Sequence, residues 1–166
     1  MNEEEKIFVG KMFDPCKDEL IELKHKAHIT CQRFNAMDEY DTNRLPMIKE
    51  ILGAIGEGYY LQGPVQFNYG CHTYIGSNFF ANFNLVVLDD AEIHIGDNVC
   101  LGPNVSLMAA SHPLLANERM SLDAHAGLCF KACCGPYKCR DRACHHRYTR
   151  TCRVCLFPPD CAYVAW

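Results

Sequence analysis

The stretch that decides the fold is residues 75–107, which read IGSNFFANFNLVVLDDAEIHIGDNVCLGPNVSL. Aliphatic residues recur in it at intervals of six, with one slip of two positions: Ile75, Ala81, Val87 and Ile93, then Ile95, Leu101 and Leu107. A helix would need a period of about 3.6 residues and a simple amphipathic strand a period of about 2. The six-residue period predicts a solenoid of short strands, each with its aliphatic residue pointing inward.

Glycine and asparagine mark the ends of the repeats. The segment 75–78 (IGSN) is echoed by 95–98 (IGDN) and by 101–104 (LGPN). Because Gly and Asn tolerate positive φ, we expect them at the corners between strands. Three six-residue sides make a coil of about eighteen residues, but the two Ile-Gly pairs lie twenty apart, so we place a two-residue bulge at Asp89–Asp90. The repeats stop at Ser111, and an irregular loop is expected over 114–128.

Residues 1–58 have the pattern of a helical segment, beginning with a short helix over 3–10. Asp14 is the expected N-cap of a second helix, with Pro15 at its first position. This helix has one apolar stripe: Leu20, Leu23, Ala27, Thr30, Cys31 and Phe34. The charged residues predicted to lie outside the stripe are Glu19, Glu22, Lys24 and Lys26. A third helix is expected to carry, on one side, Leu45, Ile48, Ile51, Leu52 and Ile55.

The composition changes abruptly near Leu128. Residues 1–128 have 9 Lys and Arg against 18 Asp and Glu, a net charge of −9, and four of the 12 cysteines. Residues 129–166 have 7 against 2, a net charge of +5, and the other eight cysteines, but no Glu, Ile, Met, Asn, Gln or Ser. We therefore divide the chain into an N-terminal helical segment (1–58), a β-helix with a loop (59–128) and an irregular Cys-rich tail (129–166).

Charge and hydropathy exclude several classes of protein. The overall net charge of −4 argues against a general nucleic-acid binder. The longest apolar runs, such as 85–88, are too short to span a bilayer. The acidic start of the chain differs from a secretory signal. We expect a cytoplasmic protein with neither nucleic acid nor membrane among its partners.

His112 is the first candidate for chemistry. It follows the last repeat at the mouth of the predicted loop, after three small residues and before Pro113. A neutral imidazole with a pKa of about 6.5 is suited to accept a proton from a hydroxyl group. A lone histidine is more often an ordinary solvent-exposed side chain, and we expect that role for His25, His28, His72, His94 and His125.

Polar side chains in the solenoid offer a second set of candidates, Asn82, Asn84, Asp89 and Asp90. Outward carboxylates and amides could hold a polyhydroxylated ligand, whereas Asn and Asp more often only shape corners. From the pattern alone a ligand contact is favoured for Asp90, because bulges often re-aim side chains at functional sites.

Residues 1–128 resemble the maltose and galactoside O-acetyltransferases, which are hexapeptide-repeat acyltransferases. The matching segments, in order, are 10–14 (GKMFD), 33–35 (RFN), 64–70 (PVQFNYG), 75–84 (IGSNFFANFN), 89–90 (DD), 95–99 (IGDNV) and 112–113 (HP). The resemblance implies a left-handed parallel β-helix, a homotrimer with active sites between subunits, and acetyl-CoA as the acetyl donor.

The resemblance also implies residue roles. His112 matches the catalytic base of the family. The positions that match its sugar contacts are Asp14, Asn68, Asn82 and Asp90, and Asn82 also lies near the acetyl group. The implied reaction is direct transfer of an acetyl group to a sugar hydroxyl, for which no metal is expected.

The tail departs from the family, which continues past residues 130–132 with further hexads that cover the pantetheine arm of CoA. Only Cys152 and Cys155 have the spacing of a metal-ligand pair. We favour a shift of reading frame near residue 132 over a zinc or disulfide knot, and we expect this chain to bind acetyl-CoA weakly. The rival function is that of a non-catalytic solenoid interaction protein with a Cys-rich, metal-binding tail.

Overall fold

The computed structural model describes residues 1–11, 13–111, 128–129 and 132–134, with side chains as far as Ala109. Within them the helices are α1 (Glu3–Phe8), α2 (Asp18–Ala36) and α3 (Arg44–Lys49). The strands that follow are β1 (Ala54–Ile55), β2 (Tyr60–Leu61), β3 (Val65–Phe67), β4 (Thr73–Ile75), β5 (Phe80–Ala81), β6 (Leu85–Leu88), β7 (Ile93–Ile95), β8 (Cys100–Leu101), β9 (Ser106–Met108), β10 (Ala110–Ser111), β11 (Leu128–Cys129) and β12 (Ala132–Cys134).

The strands form the three faces of a β-helix. Sheet A has the order β1-β4-β7-β12, sheet B β2-β5-β8 and sheet C β3-β6-β9, all with parallel pairing. From β1 to β9 every pairing joins residues twenty apart, as in Ala54↔Tyr74 and Tyr60↔Phe80. The predicted two-residue bulge at Asp89–Asp90 is confirmed, because it makes this coil twenty residues long. The same two extra residues also occur one coil earlier, between β3 and β4, so the coil of eighteen residues expected elsewhere is wrong.

The inward series predicted from the hexads is confirmed. Each of its seven residues, from Ile75 to Leu107, is at most 4% exposed. The apolar stripe of α2 joins the same core through Leu20, Ala27, Cys31 and Phe34. Burial of each large aliphatic side chain stabilises the fold by about 1.5–3 kcal/mol, so the period that defines the strands also builds the core.

The corners between sheets A and B and between B and C are built on asparagine. Asn78, Asn84, Asn98 and Asn104 all have φ between 56° and 61°, which Asn tolerates better than other residues with a side chain. The Asn78 amide donates to Asn98 Oδ1 at 3.0 Å, and the Asn84 amide donates to Asn104 Oδ1 at 2.9 Å. The asparagines predicted at corners thus stack from coil to coil.

The helices cover the edge of the first coil. The side-chain amide of Asn35 donates to the Val65 carbonyl at 2.9 Å and accepts from the Val65 N–H at 2.8 Å. The buried Arg44 guanidinium donates to the carbonyls of Phe34, Leu61 and Gln62 at 3.2, 3.0 and 2.6 Å. These side chains satisfy backbone groups that a preceding coil would otherwise pair.

The ends of two helices differ from the prediction. Helix α2 begins at Asp18, because Asp14 instead turns its carboxylate back to accept from the N–H of Cys16 at 2.9 Å. Helix α3 ends at Lys49 rather than near Ile55. The N–H of Gly53 already donates to the Thr73 carbonyl at 3.0 Å, so pairing with sheet A replaces the helix. The short first helix is confirmed.

Beyond β9 the chain leaves the solenoid and returns. Strand β10 pairs antiparallel with β11, and β12 pairs in parallel with β7 through Ala132↔Ile93. The expected irregular tail from residue 129 is therefore wrong for Ala132–Cys134, which extend sheet A. The predicted loop around His112 and His125, and residues 135–166, lie outside the described residues. No helix of the described chain is long and apolar enough to cross a bilayer.

Candidate functional site

The structure brings together two of the predicted site residues at the corner between sheets C and A. Asn68 follows β3, and Asp90 follows β6 one coil later. The Asn68 side-chain amide donates to Asp90 Oδ1 at 2.9 Å, and both side chains are half-buried. The pair is thus held in place while still reachable from solvent.

The neighbouring Asp89 fixes this corner. Its carboxylate is fully buried and accepts from the Tyr69 N–H at 2.8 Å and from the Thr73 hydroxyl at 2.9 Å. Asp89 therefore ties two successive coils together, as a corner residue should, and it positions the backbone that carries Asp90.

Lys24 belongs to this site, and the prediction that it lies outside the stripe of α2 is wrong. Its ammonium nitrogen lies 5.2 Å from the centre of the Tyr69 ring. Burial raises the pKa of Asp90, and the positive charge of Lys24 counteracts that rise. The helical spacing indicates this position, because Lys24 comes four residues after Leu20 and three before Ala27 and so shares a helix face with them.

Asn82 lies at a different corner, between sheets B and C. Its Oδ1 accepts from the N–H of Phe83 at 2.8 Å, which holds the side chain in one orientation. Within one chain the structure therefore does not bring Asn82 to the Asn68–Asp90 pair, and its amide N–H groups have no acceptor among the described residues.

Asp14 is also separate from the pair. Its N–H donates to Glu3 at 2.8 Å, and its carboxylate accepts from the N–H of Cys16 and lies 3.7 Å from the Lys17 ammonium. The partners lie at the start of α1 and in the connection between α1 and α2, and the carboxylate stays about half exposed.

His112 lies outside the described residues, but the structure describes Ala109, three residues before it. The N–H of Ala109 donates to the Leu88 carbonyl at 2.9 Å. Ala109 therefore lies one coil beyond Asp89, at the corner that holds the Asn68–Asp90 pair. His112 follows three residues later along the chain.

The prediction of an ordinary solvent-exposed histidine is wrong for His72, which is 1% exposed. Burial alone would lower the pKa of His72, but hydrogen bonds with Cys71, the Asp89 carbonyl and Glu4 raise it to about 9. The hexad pattern gave no signal for this residue, because the two extra residues of the corner interrupt it. His25 and His28 are exposed as predicted, and the partly exposed His94 stacks on Tyr74.

Comparison with known proteins gives matches in sequence and in structure. Residues 6–56 match the family model described as maltose acetyltransferase hexapeptide capping motif. The galactoside O-acetyltransferase of Escherichia coli (strain K12) is 38% identical over 111 residues, which cover 66% of this chain and 55% of that protein. A structure of galactoside acetyltransferase in complex with coenzyme A superposes with a TM-score of 0.72 at 34% identity, covering 79% of this chain and 64% of the other.

A hexapeptide-repeat acetyltransferase from Vibrio cholerae O1 biovar eltor, complexed with acetyl coenzyme A, gives a TM-score of 0.70 at 30% identity. That match covers 79% of this chain and 69% of the other. These likenesses confirm the predicted fold class. The chain spans about 55–63% of the length of four curated relatives that it matches in sequence.

Proposed function

The chain belongs to the maltose and galactoside O-acetyltransferase family of hexapeptide-repeat acyltransferases, and from that premise we propose that it transfers an acetyl group from acetyl-CoA to a sugar hydroxyl. The observation that carries the proposal is the hydrogen-bonded Asn68–Asp90 pair, at the corner from which the chain runs toward His112. The relatives whose structures hold coenzyme A or acetyl-CoA support the choice of donor.

The Asn68–Asp90 pair is assigned to the sugar. A carboxylate accepts hydrogen bonds from hydroxyl groups, and such charge-assisted bonds are stronger than neutral ones. The Asn68 amide fixes the orientation of Asp90, and Lys24 favours its ionised form against the effect of burial. Asp14, which matches a sugar contact of the family, is assigned a second contact from the connection between α1 and α2.

His112 is assigned the role of general base. It accepts the proton of the sugar hydroxyl as the oxygen attacks the thioester carbonyl, and it returns the proton to the departing thiolate of CoA. Acetyl-CoA supplies the activated carbonyl. The reaction then needs no covalent intermediate on the protein and no metal ion.

Asn82 is assigned the role of hydrogen-bond donor to the carbonyl oxygen of the acetyl group. Its amide N–H groups have no acceptor among the described residues, while its Oδ1 is fixed by the N–H of Phe83. A positioned donor stabilises the negative charge that develops on that oxygen during attack. Asn82 and Asp90 lie at different corners of one chain, so we assign the complete site to two neighbouring subunits of a homotrimer.

The test is acetyl transfer from acetyl-CoA to glucose, maltose and a thiogalactoside. The acetylated sugar should be measured by mass spectrometry, because the 12 cysteines of the chain would react with reagents that detect released thiol. The chain should be compared with a version in which family-like hexads follow Cys134, since we expect this chain to bind acetyl-CoA weakly. The expected result is transfer by the extended version, with kcat/KM for the sugar lower by about ten- to a hundredfold in its Asp90→Asn variant.

Absence of transfer by both versions would contradict the proposal and leave the non-catalytic interaction protein as the better description. Calorimetric titration with acetyl-CoA at two salt concentrations adds a separate measurement. Weak binding to the basic tail should decrease as salt rises. Binding in the micromolar range that salt does not affect would show that the chain completes the cofactor site by itself.

A further inference from the structure

We propose that Glu4, Cys71 and His72 form a binding site for one divalent transition-metal ion, best suited to zinc, which joins α1 to the first coil of the β-helix. One ligand atom from each residue lies within 4.8 Å of the other two. None of the three residues is assigned a contact with the sugar or with acetyl-CoA, although the charge of His72 acts on the pKa of Asp90. The proposal therefore does not depend on that function.

The three ligand atoms suit zinc rather than magnesium or calcium. Zinc is bound in proteins by thiolate sulfur, imidazole nitrogen and carboxylate oxygen, whereas magnesium and calcium prefer ligand sets made of oxygen. Zinc–ligand bonds of about 2.0–2.3 Å place neighbouring ligand atoms roughly 3–4 Å apart. Glu4 Oε1 and His72 Nε2 already lie 3.2 Å apart, so only a small movement is needed.

His72 is oriented as a metal ligand. Its Nδ1 lies 2.8 Å from the backbone carbonyl oxygen of Asp89. Since a carbonyl only accepts, Nδ1 carries a hydrogen, and the atom that faces Glu4 is Nε2. A metal ion that displaces the proton of Nε2 would bind to the lone pair there. Metal-bound histidines characteristically donate the other ring N–H to a carbonyl or carboxylate. The rings of Phe8 and Tyr69, 5.1 and 4.9 Å away, hold the imidazole in this orientation.

The ion pairs around the cluster leave the Glu4 carboxylate available to bind a metal ion. Among the described residues its ion-pair partner is His72, because Lys6 pairs with Glu3 at 2.6 Å. The Glu4 side chain is 37% exposed, so it can adjust to an ion. Water is the expected fourth ligand on this open side.

A metal ion at this place would strengthen a weak part of the fold. Helix α1 has six residues, and isolated helices of that length are marginal in water. Ligands from α1 and from the corner that follows β3 would be joined through one ion. Because such ligands are not preassembled in the unfolded chain, metal binding contributes directly to folding free energy.

The first test is zinc titration of the reduced, metal-free full chain in competition with a chromophoric chelator. Residues 129–166 hold eight more cysteines, and thiolates can coordinate zinc, so the result is read as a difference between variants. We expect Cys71→Ser to bind one zinc equivalent fewer than the parent chain, and Glu4→Gln to bind that equivalent at least about tenfold more weakly. Cys16→Ser, which removes an exposed thiol outside the cluster, should match the parent chain.

A cobalt titration reports on the ligands themselves. The thiolate charge-transfer absorption of one bound cobalt ion should be missing in Cys71→Ser and present in Cys16→Ser. Hydrogen exchange gives an independent readout, since zinc should slow exchange of the α1 amides in the parent chain but not in Cys71→Ser. Glu4→Gln changes a partly exposed side chain, so a loss shared by both variants is not due to misfolding.

Either of two results would overturn the proposal. One is an unchanged zinc stoichiometry and cobalt spectrum in Cys71→Ser. The other is an equal loss in Cys16→Ser, which would place the ion elsewhere in the chain.

Discussion

The regular corners of the β-helix and the corner between sheets C and A are built on different principles. At the regular corners, which are those between sheets A and B and between sheets B and C, each coil has an asparagine at the equivalent position. Asn78 therefore donates a hydrogen bond to Asn98, and Asn84 to Asn104. The corner between sheets C and A has two more residues in both of its described passages, β3 to β4 and β6 to β7, and its contacts join unlike residues. One example is the amide of Asn68 with the carboxylate of Asp90.

The difference shows how a repeating fold makes room for chemistry. A corner that satisfies its polar groups by repetition must keep the same side chain in every coil. A longer corner does not need the same side chain in every coil, because its hydrogen bonds between coils join different residue types. The buried Asp89 bonds Tyr69 and Thr73, so the longer corner is held firmly even where its sequence does not repeat.

Substitution of His112 should have the largest effect on activity. In an active form of the protein, His112→Ala should lower kcat by about two to four orders of magnitude, because a general base acts in the transition state. The KM for the sugar should change little. Steady-state kinetics is the measurement, and Asn104→Ala, at a regular corner, is the control. Near-normal turnover of His112→Ala would show that this residue is not part of the mechanism.

Substitution of Asp90 should come next. Asp90→Asn should lower kcat/KM for the sugar by about ten- to a hundredfold, since a hydrogen bond to a charged group is worth about 1.5–3 kcal/mol. The KM for acetyl-CoA should not change. The matched control is Asp97→Asn, whose carboxylate accepts from the Ser77 N–H at 2.7 Å at a regular corner. A rise in KM for acetyl-CoA alone would show that Asp90 is wrongly assigned.

A smaller, pH-dependent effect is expected for Lys24. Besides Lys24, the charged groups that act on Asp90 are Asp89, which raises its pKa, and His72, which lowers it. Lys24→Met removes a charge that lowers the pKa of Asp90, so the pKa should rise and the carboxylate should be protonated at higher pH. The acid side of the pH profile for sugar kcat/KM should then move to higher pH.

At the acid end the loss for Lys24→Met should be on the order of a few-fold, and it should disappear at higher pH, where Asp90 is ionised in both proteins. Lys26→Met changes an exposed lysine of the same helix and serves as the control. A loss of equal size at every pH would mean that Lys24 acts by packing rather than by its charge.

The regular corners should affect stability and leave kinetics unchanged. Asn98→Ala loses the bond from Asn78 and places alanine, which lacks the polar side chain that lets Asn tolerate this conformation, at φ 57°. The expected cost is about 1.5–3 kcal/mol. Asn98→Gly loses the bond but tolerates the backbone conformation, so its cost should be smaller. Urea unfolding compares the two variants, and equal destabilisation would show that the positive φ is not the cause.

The sequence predicts the β-helix because its information is local. One six-residue period places Ile75, Ala81 and Val87 in the core and the asparagines at the corners. The same information gave the wrong end for α3, because Gly53 pairs with Thr73 and not with its own neighbours. Contacts made across many residues leave no local pattern.

The candidate site shows the same limit. The Asn68–Asp90 contact spans 22 residues and the Glu4–His72 contact spans 68. Of the first pair, Asp90 was favoured from its place at the bulge, whereas Asn68 was found only through the family resemblance. The second contact was missed. Lys24 could have been found from helical spacing, since it shares a face with Leu20 and Ala27. The role of His112 stays a prediction, as do the domain boundaries.

Asn35 and Arg44 cap the N-terminal edge of the β-helix. Without them the first coil would present the N–H of Val65 and the carbonyls of Leu61, Gln62 and Val65 as an open strand edge. Such an edge is a template for another chain, and a β-helix has an edge of matching geometry at its opposite end. Asn35 and Arg44 occupy the backbone groups of this edge, so a second copy of the chain that stacked head-to-tail could not pair with those groups.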